Sequence, residues 1–172
     1  MRATGKSEKR MIDLNTDFWE WRKECIDRAF KRIIVKTTRD PPHPEHAQYW
    51  VPQDLLPQKD ALELLSLGAD WTGFIGHDDW KAQHWAAAHG APILLEQLIK
   101  LGAQVDEQTS LHRTPLMLAA ITGHHDCMSV LLNKGADISI ADNVERTALN
   151  YADRRGHPMC ASLIKSWGPQ EV

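Results

Sequence analysis

The residues best equipped for chemistry in this chain are its nine histidines and three cysteines. The densest group is His124-His125-Asp126-Cys127, a run of consecutive metal-ligating side chains, and His43-x-x-His46 makes a second, smaller group. A zinc centre needs four such ligands converging on one point. His43 and His46 stand in a proline-rich stretch with no further ligands close by in sequence. Cys25, Cys127 and Cys160 are odd in number and form no Cys-x-x-Cys pair, which favours free thiols and a reducing compartment. There is no nucleophile elbow, phosphate-binding glycine loop, dinucleotide fingerprint or His-Glu-x-x-His helix. The chain is therefore expected to be no enzyme and to carry no cofactor and no metal. An enzyme or metal protein built on the His and Cys residues stays as the remote alternative.

What must position these residues is a periodic framework. Gly90, Gly123 and Gly156 recur every 33 residues, and so do Gly102, Gly135 and Gly168. Ala86-Ala87, Ala119-Ala120 and Ala152 keep the same step, as do Leu98, Leu131 and Ile164. Each unit reads as two short helices. Thr114-Pro115 supplies a hydroxyl N-cap followed by proline at the first helical position. Leu116, Leu118, Ala119 and Ala120 then face a core until Gly123 stops the helix. A second helix runs from about His125 to Lys134 and ends on Gly135 in the left-handed conformation. Pro92 and Pro158 sit early in the matching helices, where a missing N–H costs nothing. Cys127 and Cys160 also fall 33 residues apart, on equivalent neighbouring helices. Packed helix axes lie roughly 8–10 Å apart, whereas a disulfide wants Cα atoms within about 7 Å. These two are expected to be buried apolar thiols.

The sequence RTPLMLAAITGHHDCMSVLLNKGADISIAD at 113–142 resembles the ankyrin repeat almost throughout. QHWAAAHGAPILLEQLIKLGAQVD at 83–106 and RTALNYADRRGHPMCASLIKSWG at 146–168 match more loosely, and DALELLSLGAD at 60–70 resembles the second half of a further unit. The resemblance implies an all-α fold: a short ankyrin-type helical solenoid of helix-turn-helix repeats with hairpin loops, plus an N-terminal amphipathic helix. It divides the chain into an N-terminal region, 1–46, and a repeat region, 47–172, with a degenerate repeat at 47–77 and repeats at 78–110, 111–143 and 144–172. Within the family pattern His124, His157 and His84 are structural histidines rather than ligands. Three departures stand out: Asp79, His112 and Glu145 occupy the hairpin place where the family often has glycine. Lys81 replaces the usual threonine of the first unit. Asp153 and Lys165 replace Ala87/Ala120 and Ile99/Leu132, so the last unit has a polar outer face of the kind a C-terminal cap requires.

The N-terminal region reads differently. Residues 13–36 form an expected amphipathic helix, with Phe18, Cys25, Ile26, Ala29, Phe30, Ile33 and Ile34 on one face. Asp17 and Glu20 have capping-box-like spacing. RDPPHPEH at 39–46 follows as a stiff linker. Residues 1–39 carry 11 Lys/Arg against 6 Asp/Glu, and the remainder carries 9 against 17. This basic arm either docks on its own acidic repeats as a lid over the first unit, or anchors the chain to a partner or membrane surface. Seven tryptophans are many for this length, and Trp19 and Trp21 cannot both point inward with Phe18. No apolar run approaches the roughly 18 residues of a membrane span, and Met1 to Arg10 lacks the apolar centre of a secretory signal. An intracellular, reducing location is expected, cytoplasmic or organellar.

The resemblance also implies where a partner would bind, namely on hairpin tips and first-helix ends along one concave side. Trp80, Arg113 and Arg146 form a ladder of tip residues one repeat apart, flanked by Leu111 and Val144. Ala88 and His89, Ile121 and Thr122, then Arg154 and Arg155 follow at the helix ends. The expected function is a non-enzymatic adaptor or scaffold that binds a protein through this face, with Arg113 and Arg146 dispensable for folding. The alternative is an accessory subunit of a larger complex, organellar or membrane-associated, docked through the arm that carries Trp19 and Trp21. No small-molecule substrate is evident. An acidic repeat body repels nucleic acid, and a membrane surface is open only to the N-terminal helix.

Overall fold

The computed structural model describes residues 23–31, 58–73 and 78–167. All regular structure among them is helical. An N-terminal helix, α1, covers residues 23–31. Then come α2 (Gln58–Ser66), α3 (Ala82–Ala88), α4 (Pro92–Lys100), α5 (Pro115–Thr122), α6 (His125–Asn133), α7 (Ala148–Arg155) and α8 (Pro158–Trp167). The inner helices α3, α5 and α7 pack side by side, the outer helices α4, α6 and α8 form a second row, and α2 adjoins α4 as an outer helix of an earlier unit.

The boundaries follow from local chemistry. Thr114 and Thr147 each accept the N–H of the third helical residue, Met117 or Asn150, at 3.4 Å. The Asn150 amide oxygen returns the favour by accepting the Thr147 N–H at 3.0 Å, which completes a capping box. Lys81 has no side-chain acceptor to offer, so the first unit keeps only the return bond: its N–H donates to His84 Nδ1 at 3.0 Å. That bond fixes the tautomer, leaving Nε2–H to donate to the Glu107 carbonyl at 2.9 Å. Proline opens α4, α5 and α8, and Gly123 and Gly156 close α5 and α7 in the left-handed conformation.

Close approach is what joins one unit to the next. Ala86, Ala87, Ala119, Ala120 and Ala152 are all 0 % exposed, so the inner helices meet through single methyl groups. At two places even a methyl is too large. A Cβ on Gly90 would stand 2.6 Å from the His124 ring, and one on Gly123 would stand 2.6 Å from the His157 ring. Both glycines also need positive φ, +66° and +78°. Each histidine thus lies over the bare backbone of the preceding unit, where His157 Nε2 bonds the Ile121 carbonyl at 3.2 Å and His124 bonds that of Ala88. Leu94, Leu95, Leu98, Leu116, Met128, Leu131 and Leu132 fill the space between the helix rows. Cys127 and Cys160 are buried free thiols; burial pushes Cys127 up to about 12, and its Sγ faces the Ala86 carbonyl.

The N-terminal helix is built into this stack. Phe30 is 0 % exposed within the core and Ile26 packs against it, while Arg28 faces outward and pairs with Glu24. Asp27 Oδ1 accepts the Asp70 N–H at 2.7 Å. The same bond recurs between true repeats, where the Asp106 carboxylate accepts the Asp137 N–H at 3.1 Å. Asp70 and Asp137 then fold identical turns, bonding Thr72 and Ser139 respectively. Helix α1 therefore presents to the first unit the hydrogen-bonding group that a preceding repeat would present. Of the two readings of the arm, residues 23–31 support the lid. The rest of the expected helix, with Asp17, Phe18, Trp19, Glu20, Trp21, Ile33 and Ile34, lies outside the described residues, as do His43 and His46.

The glycine-poor hairpin tips keep their geometry. Asp78, Asp79, His112 and Glu145 adopt φ of 60°, 56°, 57° and 59°. Turns close through His112 N–H to the Thr109 carbonyl and Glu145 N–H to the Asp142 carbonyl, at 2.9 and 3.0 Å. A left-handed L-residue costs about 1 kcal/mol or more, so the tips hold strain that the rest of the hairpin sustains. His112→Gly and Glu145→Gly, both at exposed positions, should each raise stability by about 0.5–1 kcal/mol after glycine's own entropic penalty. Urea titration measures this, and a loss of stability in both would refute strain at the tips.

Acid should loosen the first unit. Burial depresses both His84 and His89 from 6.5 to about 4. Between these values the unfolded chain takes up protons that the folded chain refuses. Stability present above pH 6.5 is lost as pH falls toward 4, by on the order of 3 kcal/mol for each fully neutral histidine. Thermal melts at pH 7 and 4.5 should differ by on the order of 10 °C. His84→Asn, which preserves an acceptor for Lys81, should flatten the dependence; an unchanged slope would exclude His84 as its source.

Candidate partner-binding face

The tips and the inner helices share one face of the stack. Consecutive tips are tied together, Ser110 N–H donating to the Asp78 carbonyl at 3.0 Å and Asn143 N–H to the Leu111 carbonyl at 3.4 Å. This pins the residues one repeat apart in register, and at the ends of the inner helices exposure rises from the first unit to the last. At the first tip Trp80 is 7 % exposed, its ring centroid 4.6 Å from that of Trp85. Ala88 and His89 at the end of α3 are both 1 % exposed. Their counterparts Ile121 and Thr122 are half-buried, and on the last unit Arg155 is half-buried and Arg154 exposed. Trp80 is therefore not a presented tip residue, contrary to the sequence-based expectation. An indole lowers its free energy by sinking onto Trp85, whereas the arginines at the equivalent places must keep their charge near solvent.

Those arginines converge on α7. Tyr151 takes the place that Trp85 and Leu118 hold in the earlier units, and it is just as buried. A buried phenol needs a partner, and its hydroxyl donates to Asp142 Oδ2 at 2.5 Å. Asp142 Oδ1 accepts the N–H groups of Val144 and Arg146 at 3.1 and 2.9 Å, which shapes the tip. Arg113 Nε stands 3.8 Å from Asp142 Oδ2, an ion pair too long for a hydrogen bond. The Arg113 and Arg146 guanidinium groups lie 5.7 and 6.0 Å from the Tyr151 ring centroid. Arg155 is held below its ordinary range by burial and by the positive charges of Arg113, Arg154 and Arg146, with Tyr151 opposing the shift. Burial and the bond to Asp142 raise the Tyr151 hydroxyl in turn.

The sequence-derived set thus divides. Val144 is 53 % exposed and Leu111 half-exposed, while Thr122 bonds back to the Leu118 carbonyl at 2.9 Å. Arg146, Arg154 and Arg155 gather at the last unit, and Arg113 joins them from the unit before. Trp19 and Trp21 lie outside the described residues. Two residues of the cluster, Asp142 and Tyr151, went unremarked in the sequence reading. The available signal was a tyrosine at a position occupied by Trp85 and Leu118 in the other units. Among the described residues no three His, Cys, Asp or Glu side chains come together as a metal site. The His124-to-Cys127 run disperses instead, His124 to Gly90, His125 beside Asp126, and Cys127 into the core.

Arg113 proves structural as well as superficial. Its side chain is 16 % exposed and the Asp142 carboxylate beneath it is 0 % exposed, so the expectation that Arg113 is dispensable for folding needs correcting. Arg113→Met should cost about 2–4 kcal/mol, because it leaves a buried carboxylate with neutral donors only. Arg146→Met should cost less than about 1 kcal/mol, its carboxylate contact being made by backbone. Equal costs by chemical denaturation would contradict this division.

A stack of repeated helix pairs agrees with the family comparison. Three copies of the ankyrin repeat match residues 58–170. No curated protein matches the chain. Ankyrin repeats are in general protein–protein interaction modules, and with the match spanning well over half its length this chain belongs to the ankyrin-repeat family.

Proposed function

We propose that the chain is a non-catalytic adaptor or scaffold that binds a protein through the face formed by the second and third tips and the ends of α5 and α7. The observation that carries this reading is the gradient of exposure: Trp80, Ala88 and His89 are closed, and Val144, Arg154 and, in part, Ile121, Arg146 and Arg155 are open. An exposed valine beside arginine and tyrosine has the composition of an interface anchor. Buried, free Cys127 and Cys160 support a reducing intracellular compartment.

A second reading, an accessory subunit of a larger assembly, draws support from the opposite surface. Leu67, Leu101 and Trp167 hold equivalent places at the ends of outer helices and are 49 %, 53 % and 45 % exposed; Ile93 and Met159 add to them at 58 % and 69 %. These exposed apolar side chains recur in the flanking units, with Asp126 and Lys134 at the same places of the middle unit.

Photo-crosslinking amino acids placed at Val144 and Ile121, and separately at Ile93 and Met159, separate the two. Crosslinks to one common protein from the first pair alone support the adaptor. Crosslinks from the second pair alone overturn it and move the interface to the outer helices.

A further inference from the structure

We propose that the outer helices are a dimer interface: a second copy of this chain lies on them, each helix antiparallel to its own counterpart. This interface is separate from the tip face and leaves it open on both copies.

Each outer helix carries the same pair of exposed places, one at its second residue and one at its end. On α4 they hold Ile93 and Leu101, on α6 Asp126 and Lys134, and on α8 Met159 and Trp167. Within one chain Asp126 and Lys134 stand two turns apart, about 12 Å along the helix. The nearest cation to Asp126 is instead His125, at 3.7 Å, too long for a hydrogen bond. Equivalent helices of successive repeats run parallel, and such a row meets its own copy about a two-fold axis in two aligned ways. With the axis along the helices, Asp126 would face the partner's Asp126 and Lys134 the partner's Lys134, like charge on like. With the axis across them, every helix faces its own counterpart antiparallel. Ile93 then lies opposite the partner's Leu101, Met159 opposite the partner's Trp167, and Asp126 opposite the partner's Lys134, each contact made twice. Apolar meets apolar on the flanking units, and acid meets base on the middle one.

The other charges of this surface do not oppose a copy of it. Glu96 pairs with Lys100 at 3.0 Å, and Lys165 with Asp153 of α7 at 3.5 Å. Glu96 is held below its ordinary range first by Lys100 and more weakly by Lys134, so Lys134 already feels one carboxylate and gains a second from the partner. Over the four outer helices and their caps, Asp60, Glu63, Glu96 and Asp126 balance Lys59, Lys100, Lys134 and Lys165. Four helices about 14 Å long and about 10 Å apart give roughly 550 Å² to each copy. That is the low end for a specific interface, so the dimer is weak and concentration-dependent.

Sedimentation equilibrium of the full chain at low salt tests this. The average mass should rise from one chain toward two through the micromolar range. Asp126→Lys and Lys134→Asp should each weaken association by roughly tenfold, since each turns two attractive contacts into repulsive ones. Asp126→Lys/Lys134→Asp should restore it to within about threefold. Damage to folding from charges set against the α6 dipole would add in the double variant rather than cancel, and melting curves report it separately. A chain that stays monomeric overturns the proposal. So does a dimer indifferent to both single reversals, which belongs to another surface, and so does a double reversal no better than either single one. Photo-crosslinkers at Ile93 and Met159 should join two copies of this chain, while those at Val144 and Ile121 still report on the tip face.

Discussion

Everything in this molecule depends on how closely one inner helix approaches the next. Ala86, Ala87, Ala119, Ala120 and Ala152 put only methyl groups between them, and at Gly90 and Gly123 an imidazole rests on naked backbone. That spacing is set by excluded volume rather than by any strong bond. It brings successive hairpins within hydrogen-bonding reach and so fixes the register of the tips. A tip residue on one unit can then reach into the next, as Arg113 does toward Tyr151 of the following repeat and toward Asp142 in the hairpin that leads to it. The tip face is thus a consequence of the seam, and a methyl group added at Gly90 would disturb it from a distance.

A stack of this kind has two ends, and they are finished by different means. At the N-terminal end helix α1 substitutes for a repeat, supplying Phe30 to the core and Asp27 to the turn that Asp106 serves elsewhere. At the other, Asp153 and Lys165 stand where inner units have apolar residues and pair with each other in solvent. The same polarity shows on the tip face. Aromatic residues of the first unit pack inward on one another, while the last unit offers charge. The face is consequently graded, closed and apolar at one end and open and cationic at the other.

Much of this was legible in the sequence, because glycine, proline and alanine spacing reports backbone geometry directly. The helix pairs, the cap on Thr114, the buried thiols and the structural histidines all follow from residue type at a fixed period. Trp80 was misjudged because a ladder of equivalent positions says where a Cα sits, not whether its side chain turns to water or to a neighbour. The buried side of Arg113 is hidden from the period for the same reason: its carboxylate partner Asp142 lies 29 residues on, at the far end of its own repeat. His112 and Glu145 stand where the family often has glycine, which alone would leave the tip geometry open. The structure shows that the turn's hydrogen bonds hold φ positive against the side chain's preference.

The central claim is that a protein partner is held at the open, cationic end of the tip face. Hydrogen–deuterium exchange on the full chain, with and without its captured partner, addresses it most directly. The account predicts slowed exchange in the third tip and α7, residues 142–155, with α4 unchanged. Protection confined to α4 and α8, with residues 142–155 exchanging as in the free chain, would contradict it and make the outer helices the working surface of this protein.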